Sequence, residues 1–152
     1  MKHFLRLFGS PLPLIAALAL LAFTATPTEA QTKTLYQRLG GYDAIAAVSD
    51  DFIGRLAANK QLGRFLSGLS DDSKGKLRQH LVDFLCKATG GPCVYTGRDM
   101  KTSHKGLGIN EADWQSGVND LLATLDKFKV PQKEKDEVVA AVAGLKGDIV
   151  EK

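Results

Sequence analysis

Of the side chains in this sequence, histidine can take part in the widest range of chemical reactions. The 152 residues contain three histidines, His3, His80 and His104. Imidazole is the commonest metal ligand among side chains and also acts as a general acid or base near neutral pH. Ser103 directly precedes His104, but adjacent residues on a helix do not face each other, so no Ser–His relay is expected. No carboxylate pair is placed for acid–base work, and we predict no catalytic residue. Because His3 lies in a segment that we expect to be removed, His80 and His104 are the candidate ligands of a metal or cofactor.

The two candidate histidines fall on different predicted helices. His80 lies on a helix that Ser70 can cap, at one edge of an apolar face. That face consists of Leu77, Leu81, Phe84 and Leu85. His104 lies on a short helical piece around residues 100–107. From spacing alone, each imidazole is more often a half-buried structural residue than a ligand, and a bare zinc site would lack its third and fourth ligands.

A pair of cysteines offers a second kind of chemistry. Cys86 and Cys93 flank the sequence Gly90-Gly91-Pro92, and neither a CxxC redox motif nor a CxxCH heme-attachment motif occurs. In an oxidising compartment the two thiols could close a small loop as a disulfide. The sequence leaves that disulfide and two free, partly buried thiols as equal alternatives.

The remaining pattern is helical and shows no convincing strand alternation. A helix is predicted after Gly40-Gly41 from the spacing of its apolar residues, which are Ile45, Val48, Phe52 and Leu56. Asn110 is placed to cap the next long helix with Asp113 in the capping-box position, and Pro131 is placed at the first position of the last helix. Residues 88–99, rich in Gly, Pro and Thr, cannot form a regular helix. We predict an all-α domain of four main helices, with one short element and one irregular loop.

The N-terminal segment has the three-part layout of a secretory signal. Lys2 and Arg6 precede an apolar run, and Thr28-Glu29-Ala30 places small residues at the two positions that a signal peptidase reads. The apolar run, about a dozen residues, is shorter than the roughly 20 that a retained membrane anchor needs. We therefore expect residues 1–30 to be a cleaved signal peptide, and residues 31–152 to be a periplasmic or secreted domain without a membrane association.

The charge pattern argues against nucleic acid as a partner. The formal net charge is +3, and the 20 Lys and Arg residues are scattered among 17 Asp and Glu. Neither a basic stripe nor interleaved aromatic residues are present.

Two motifs resemble those of group I truncated hemoglobins, the 2-on-2 globins. The first runs from Leu35 to Gly41 with the letters LYQRLGG, and the second runs from Gly90 to His104 with the letters GGPCVYTGRDMKTSH. The likeness extends from about Thr34 to Val150. It implies a truncated globin fold, a two-over-two helical sandwich around heme b, in which an extended loop replaces most of the helix before the proximal histidine.

The resemblance also implies roles for particular residues. His104 matches the proximal histidine, the fifth ligand of the heme iron. Arg98, or alternatively Lys76, is placed to meet a propionate. The residues expected to contact the cofactor otherwise are Leu77, Leu81, Phe84, Tyr95, Leu107 and Leu121.

The distal side departs from the common group I pattern. A tyrosine often follows the phenylalanine of the first long helix, whereas Ile53 follows Phe52 here. A glutamine is often present on the next helix, where this chain has Leu77 and Leu81. His80 aligns with the distal histidine of hexacoordinate cyanobacterial relatives, in which the imidazole binds the sixth iron position and must leave before an external ligand enters.

The resemblance predicts a heme protein that reversibly binds diatomic gases, namely oxygen, nitric oxide or carbon monoxide. One alternative is a periplasmic electron carrier with bis-histidyl iron, which would act with a redox partner. Another is an enzyme that removes nitric oxide or peroxide. Such an enzyme needs an electron donor, and this chain supplies no flavin or nicotinamide motif.

Overall fold

The structure is a computed structural model that describes residues 33–152, and every regular element in that range is helical. The helices are α1 (Leu35–Arg38), α2 (Tyr42–Ala58), α3 (Asp71–Ala88), α4 (Met100–His104), α5 (Glu111–Lys127), α6 (Gln132–Ala143) and α7 (Lys146–Ile149), with a single 3-10 turn at Gly63–Phe65. None of these helices is both long and apolar enough to cross a bilayer. The expected signal peptide, residues 1–30, lies outside the described residues and stays a prediction.

The starts of the long helices α3 and α5 follow the capping residues. The Ser70 hydroxyl accepts a hydrogen bond from the Ser73 N–H at 3.2 Å. Asn110 and Asp113 form the predicted capping box, in which each side chain accepts from the other residue's N–H, at 2.9 and 3.1 Å. These bonds satisfy N–H groups that have no partner within the helix, so they set where α3 and α5 begin.

Two predicted boundaries differ from the structure by one residue. Pro131 is the N-cap of α6 rather than its first helical residue, because its ψ of 152° is extended and the helix begins at Gln132. The irregular segment begins at Thr89 rather than Ala88, which still belongs to α3. In both places the sequence predicts that a helix begins or ends there, but the residue types are compatible with either of two adjacent positions for the boundary.

Helix α2 is shared by two helix pairs and carries part of each core. It packs against both α3 and α5, and α5 packs against α6. One cluster of buried side chains joins α2 to α3 and contains Ile45, Val82 and Cys86. The other joins α5 to α6 and contains Leu121, Leu125 and Val138, with Phe52 of α2 packed against it. Leu121, which was expected to pack on a cofactor, is thus a member of the core between helices.

A buried carboxylate fixes the connection between α2 and α3. Asp113, only 2% exposed, accepts hydrogen bonds from the Gln61 amide at 2.7 Å and from the Arg64 guanidinium at 2.8 Å. The hydrogen bond from Gln61, followed by those from Asn110 and Arg64, holds the pKa of Asp113 below its usual range. The connection is therefore tied to the start of α5 by an ionised group whose partners satisfy it.

The irregular segment after α3 is tethered to the helix that precedes it. Cys86 and Cys93 form a disulfide with Cα atoms 5.8 Å apart, so the structure shows the first of the two alternatives for these cysteines. The backbone passes very close to this bridge, because a β-carbon at Gly91 would lie 2.7 Å from the Cys86 Sγ atom and 2.5 Å from the Tyr36 ring. The Tyr36 N–H also donates to the Thr89 carbonyl at 2.8 Å. The disulfide and this hydrogen bond therefore fix the first residues of the irregular segment.

Removal of the disulfide should destabilise the domain without unfolding it. We expect Cys86→Ala/Cys93→Ala to lower the free energy of unfolding by about 2–3 kcal/mol, because the unfolded chain regains the freedom of a short loop. Urea unfolding of the heme-bound protein at one fixed heme concentration, followed by circular dichroism, measures the change. Wild-type protein treated with a reductant should behave like the double variant. An unchanged free energy of unfolding, or two titratable thiols in unreduced wild-type protein, would contradict the disulfide.

Candidate functional site

His104 is held in one orientation by the helix that carries it. It is the last residue of α4, and its Nδ1 atom lies 2.8 Å from the carbonyl oxygen of Met100. A carbonyl can only accept, so Nδ1 carries the proton and donates. The neutral ring then has its lone pair on Nε2, which is the arrangement that a metal-binding histidine needs.

The helix that presents His104 is only five residues long and depends on its cap. A single turn is unstable by itself because its hydrogen bonds do not offset the cost of ordering the backbone. The Asp99 carboxylate accepts from the Thr102 N–H at 2.7 Å and from the Thr102 hydroxyl at 2.8 Å. These hydrogen bonds from Thr102 hold the pKa of Asp99 below its usual range. Asp99 therefore fixes the N-terminal end of α4.

His80 differs from His104 in the bonding of its Nδ1 atom. It lies on α3, and its Nδ1 atom is buried and has no hydrogen-bond partner among the described residues. The edge of its ring meets the ring of Tyr95, with the centroids 6.0 Å apart and the planes at 78°. Buried polar atoms nearly always have partners, and one without a partner costs free energy. One buried nitrogen of the half-buried His80 side chain thus has unused bonding capacity.

Tyr95 connects α3 to the segment that leads to His104. Its ring packs edge-on against Phe84, with the centroids 5.4 Å apart, and its hydroxyl donates to the Arg98 carbonyl at 2.5 Å. Glycine at position 97 leaves room for this ring, since a β-carbon there would lie 2.4 Å from the Tyr95 hydroxyl oxygen and would displace the ring. Burial, and secondarily the charge of Asp99, raises the pKa of Tyr95, so the hydroxyl stays a neutral donor. The structure therefore brings three predicted site residues together, His80, Phe84 and Tyr95.

Leu77 lines a mostly apolar cavity beside the N-terminal half of α3. The cavity has a volume of about 250 Å³, and its other lining residues are Ile53, Ala57, Gly63, Leu66, Ser67 and Lys74. Ile53 and Leu77 stand where many group I relatives are expected to have polar residues. Their side chains face one space, and neither can donate a hydrogen bond. This cavity was not predicted, because the sequence does not show that α2, the 3-10 turn and α3 converge.

The remaining predicted contacts differ in exposure. Leu81 is half-buried, whereas 43% of Leu107 is exposed. Of the two candidate propionate partners, Lys76 pairs with Asp72 at 2.7 Å, while Arg98 makes no ion pair among residues 33–152. An unpaired exposed guanidinium is the better candidate for an external carboxylate. The cofactor-binding roles of all these residues remain predictions.

The donor set fits a heme and does not fit a bare metal ion. Within residues 33–152 no three His, Cys, Asp or Glu side chains converge as ligands, and both cysteines are bonded to each other. A bare ion would need three or four such ligands. A heme needs only axial ligands from the protein, because the macrocycle supplies four nitrogens itself. His104, whose Nδ1 is occupied by Met100 so that the Nε2 lone pair is left for a metal, meets that requirement. A second axial bond from His80 stays a prediction.

Helix order, paired helices and a histidine on a short element after a long loop define a heme-binding globin of shortened type. Residues 34–151 match the family model described as bacterial-like globin. The chain is 38% identical over 115 residues to a group 1 truncated hemoglobin of Synechocystis, covering 73% of this chain and 90% of that relative. It is 32% identical to a group 1 truncated hemoglobin of Mycolicibacterium paratuberculosis, covering 80% and 87%. The chain belongs to the truncated hemoglobins of this bacterial-like globin family.

Solved structures agree with this assignment. The 2/2 hemoglobin of Synechococcus sp. PCC 7002, solved in the cyanomet state with covalently attached heme, superimposes with a TM-score of 0.72. It is 28% identical, and the match covers 79% of this chain and all of that one. The predicted all-α fold, the two-over-two globin architecture and heme as the cofactor are thereby confirmed.

His104→Gly tests the predicted proximal ligand. We expect heme loss to accelerate at least about a hundredfold, since changes to the mere hydrogen-bond partners of a ligand already cost about 10–100-fold. Heme transfer to an excess of apomyoglobin, followed by absorbance, measures this rate. Added imidazole should restore an axial nitrogen and slow the loss in His104→Gly, and should have no such effect in the control Gln79→Gly, whose side chain bonds Asp83 at the surface. Retention of heme by His104→Gly at the wild-type rate would show that another residue is the proximal ligand.

Proposed function

We propose that this globin reversibly binds a diatomic gas at its heme, with His104 as the permanent axial ligand and His80 as a dissociable one. Heme supplies the iron to which gases bind in globins. The observation that carries the proposal is the contrast between the two imidazoles. Met100 orients the His104 ring through Nδ1, whereas the buried Nδ1 of His80 has no partner among residues 33–152. No carbonyl among the described residues fixes the Nδ1 atom of His80, so a bond from its Nε2 atom to iron would be weaker than that of His104 and reversible.

The cavity beside Ile53 and Leu77 supports a distal side that lacks a Tyr–Gln pair, and its polar lining residues are Ser67 and Lys74. His80 does not line this cavity, so its role as the distal polar group rests on the family resemblance. Ile53 and Leu77 offer no donor to a polarised bound gas. In a dry site, the absence of donors weakens the retention of oxygen more than that of carbon monoxide, because bound oxygen carries more negative charge. We therefore infer that occupancy is set by competition between His80 and the gas, rather than by a Tyr–Gln pair.

We also propose that the domain works outside the cytoplasm, in the periplasm or as a secreted protein. The disulfide between Cys86 and Cys93 supports an oxidising compartment, where such bonds persist. The layout of residues 1–30 supports export independently.

The absorption spectrum of the ligand-free ferrous protein tests the role of His80. Wild-type protein should show sharp low-spin bands, and His80→Ala should be five-coordinate and high-spin, because no sixth ligand remains. Carbon monoxide should associate several-fold faster with His80→Ala, since no imidazole must leave first. Gln79→Ala is a matched control, because this neighbouring side chain bonds Tyr42 and Asp83 at the surface.

The outcomes of that experiment separate the alternatives. A five-coordinate wild-type spectrum would disprove coordination by His80. A low-spin protein that excludes carbon monoxide would instead identify a bis-histidyl electron carrier. Rapid turnover of nitric oxide or peroxide with an added electron donor would identify an enzyme.

Expression of the full chain in a Gram-negative host tests export. We expect the protein in the periplasmic fraction with Gln31 as its first residue, as determined by intact-mass spectrometry. Ala30→Phe should block cleavage, because a bulky residue does not fit the site that a signal peptidase reads. A chain without residues 2–30 should remain in the cytoplasm. An unprocessed wild-type chain in the membrane fraction would show a retained anchor instead.

A further inference from the structure

The segment that follows His104 is tied to the end of the described chain by one carboxylate. Gly106 and Gly108 have left-handed backbones, with φ angles of 82° and 66°. The Gly106 N–H donates to one oxygen of Glu151 at 2.7 Å, and the Gly108 N–H donates to the other at 2.6 Å. Backbone N–H groups in such turns form concavities that bind anions, and here the anion belongs to the chain itself.

A further bond makes this contact a two-sided clamp. The Glu151 N–H donates to the carbonyl of Ile109 at 2.8 Å, and Ile109 is buried. The preceding helix α7 packs against α4, and the Leu107 N–H donates to the His104 carbonyl at 3.1 Å. Three residues of the segment that follows His104, namely Gly106, Gly108 and Ile109, are thus hydrogen-bonded to Glu151.

We propose that Glu151 is a positioning residue for His104, and that its carboxylate holds the C-terminal end of α4 so that the imidazole keeps its place against the heme. The inference rests on the proposed role of His104 as the proximal ligand. Asp99 fixes only the N-terminal end of α4. A helix of one turn is not stable without help at its other end, and the Glu151 clamp supplies that help.

The geometry of the clamp distinguishes it from an ordinary surface ion pair. Exposed Lys–Asp pairs contribute little, because both long side chains are free to move. Here both oxygens of one carboxylate accept from backbone N–H groups, and charge-assisted bonds of this kind are shorter and stronger than neutral ones. The N–H of Gly106, then that of Gly108, holds the pKa of Glu151 below its usual range. Glu151 is therefore ionised at neutral pH.

Glu151→Gln tests the proposal in the heme-bound protein, in both wild-type and His80→Ala backgrounds. The glutamine amide group turns an N–H donor toward one glycine N–H, so one bond is lost and the other loses its charge. We expect heme transfer to apomyoglobin to accelerate about three- to tenfold, less than the 10–100-fold typical of a direct partner of a ligand. In the ferrous His80→Ala background, the iron–histidine stretching band in resonance Raman should shift or broaden, because the His104 ring gains freedom.

Glu111→Gln is the matched control. Glu111 ties α7 to α5 through Lys146 at 2.7 Å but does not touch the glycine N–H groups. We expect it to leave the Raman band and the rate of heme loss unchanged. A general loosening of α7 would instead change both variants alike, which would overturn the proposal.

Hydrogen exchange at Gly106 and Gly108, measured by NMR on the same proteins, reads the clamp directly. Both amides should exchange slowly in wild type and faster in Glu151→Gln. Unchanged exchange would show that the clamp does not form. Faster exchange with an unaltered Raman band and heme-loss rate would show that the clamp does not position His104. If His104 is not the proximal ligand, the result is distinguishable from failure of the clamp, because His104→Gly would then retain heme normally.

Discussion

The hydrogen bond from His104 Nδ1 to the Met100 carbonyl is the interaction on which the rest of the site depends. It sets the tautomer and leaves Nε2 as the only nitrogen available to iron. The bond exists only while residues 100–104 remain helical, and a helix this short has little stability of its own. We therefore propose that the carboxylates of Asp99 and Glu151 matter for heme binding, although neither is expected to touch the cofactor.

Two of the long helices each bury a small polar residue whose hydroxyl donates within its own helix. Ser49 of α2 and Thr124 of α5 are both fully buried. The Ser49 hydroxyl donates to the Ile45 carbonyl at 2.8 Å, and the Thr124 hydroxyl donates to the Asp120 carbonyl at 3.0 Å. Because each donor is used one turn back, neither costs an unpaired group, and the short side chains leave room for close packing. Helix α2 can therefore serve both helix pairs of a small domain.

Much of the fold was readable from local patterns, whereas contacts between distant residues were not. Ser70 and Asn110 predicted helix starts because a cap needs only residues three apart. The disulfide stayed an even choice, since the cysteine spacing says nothing about the distance between their Cα atoms until α3 ends and the chain turns at Gly91. The bonds of Glu151 join residues that lie 43 and 45 positions apart, so no local signal could reveal them. Family motifs, rather than spacing, distinguished His104 from His80.

The difference between the two histidines follows from what each ring nitrogen bonds. A ligating imidazole that donates its other N–H to a carbonyl is more basic and is held at a fixed angle, so its bond to iron is strong and permanent. His104 meets that condition through Met100. His80 does not, since its buried Nδ1 has no partner among the described residues and only the edge of Tyr95 limits its ring. An axial ligand without that support is weaker, which is why we propose His80 as the ligand that gives way to a gas.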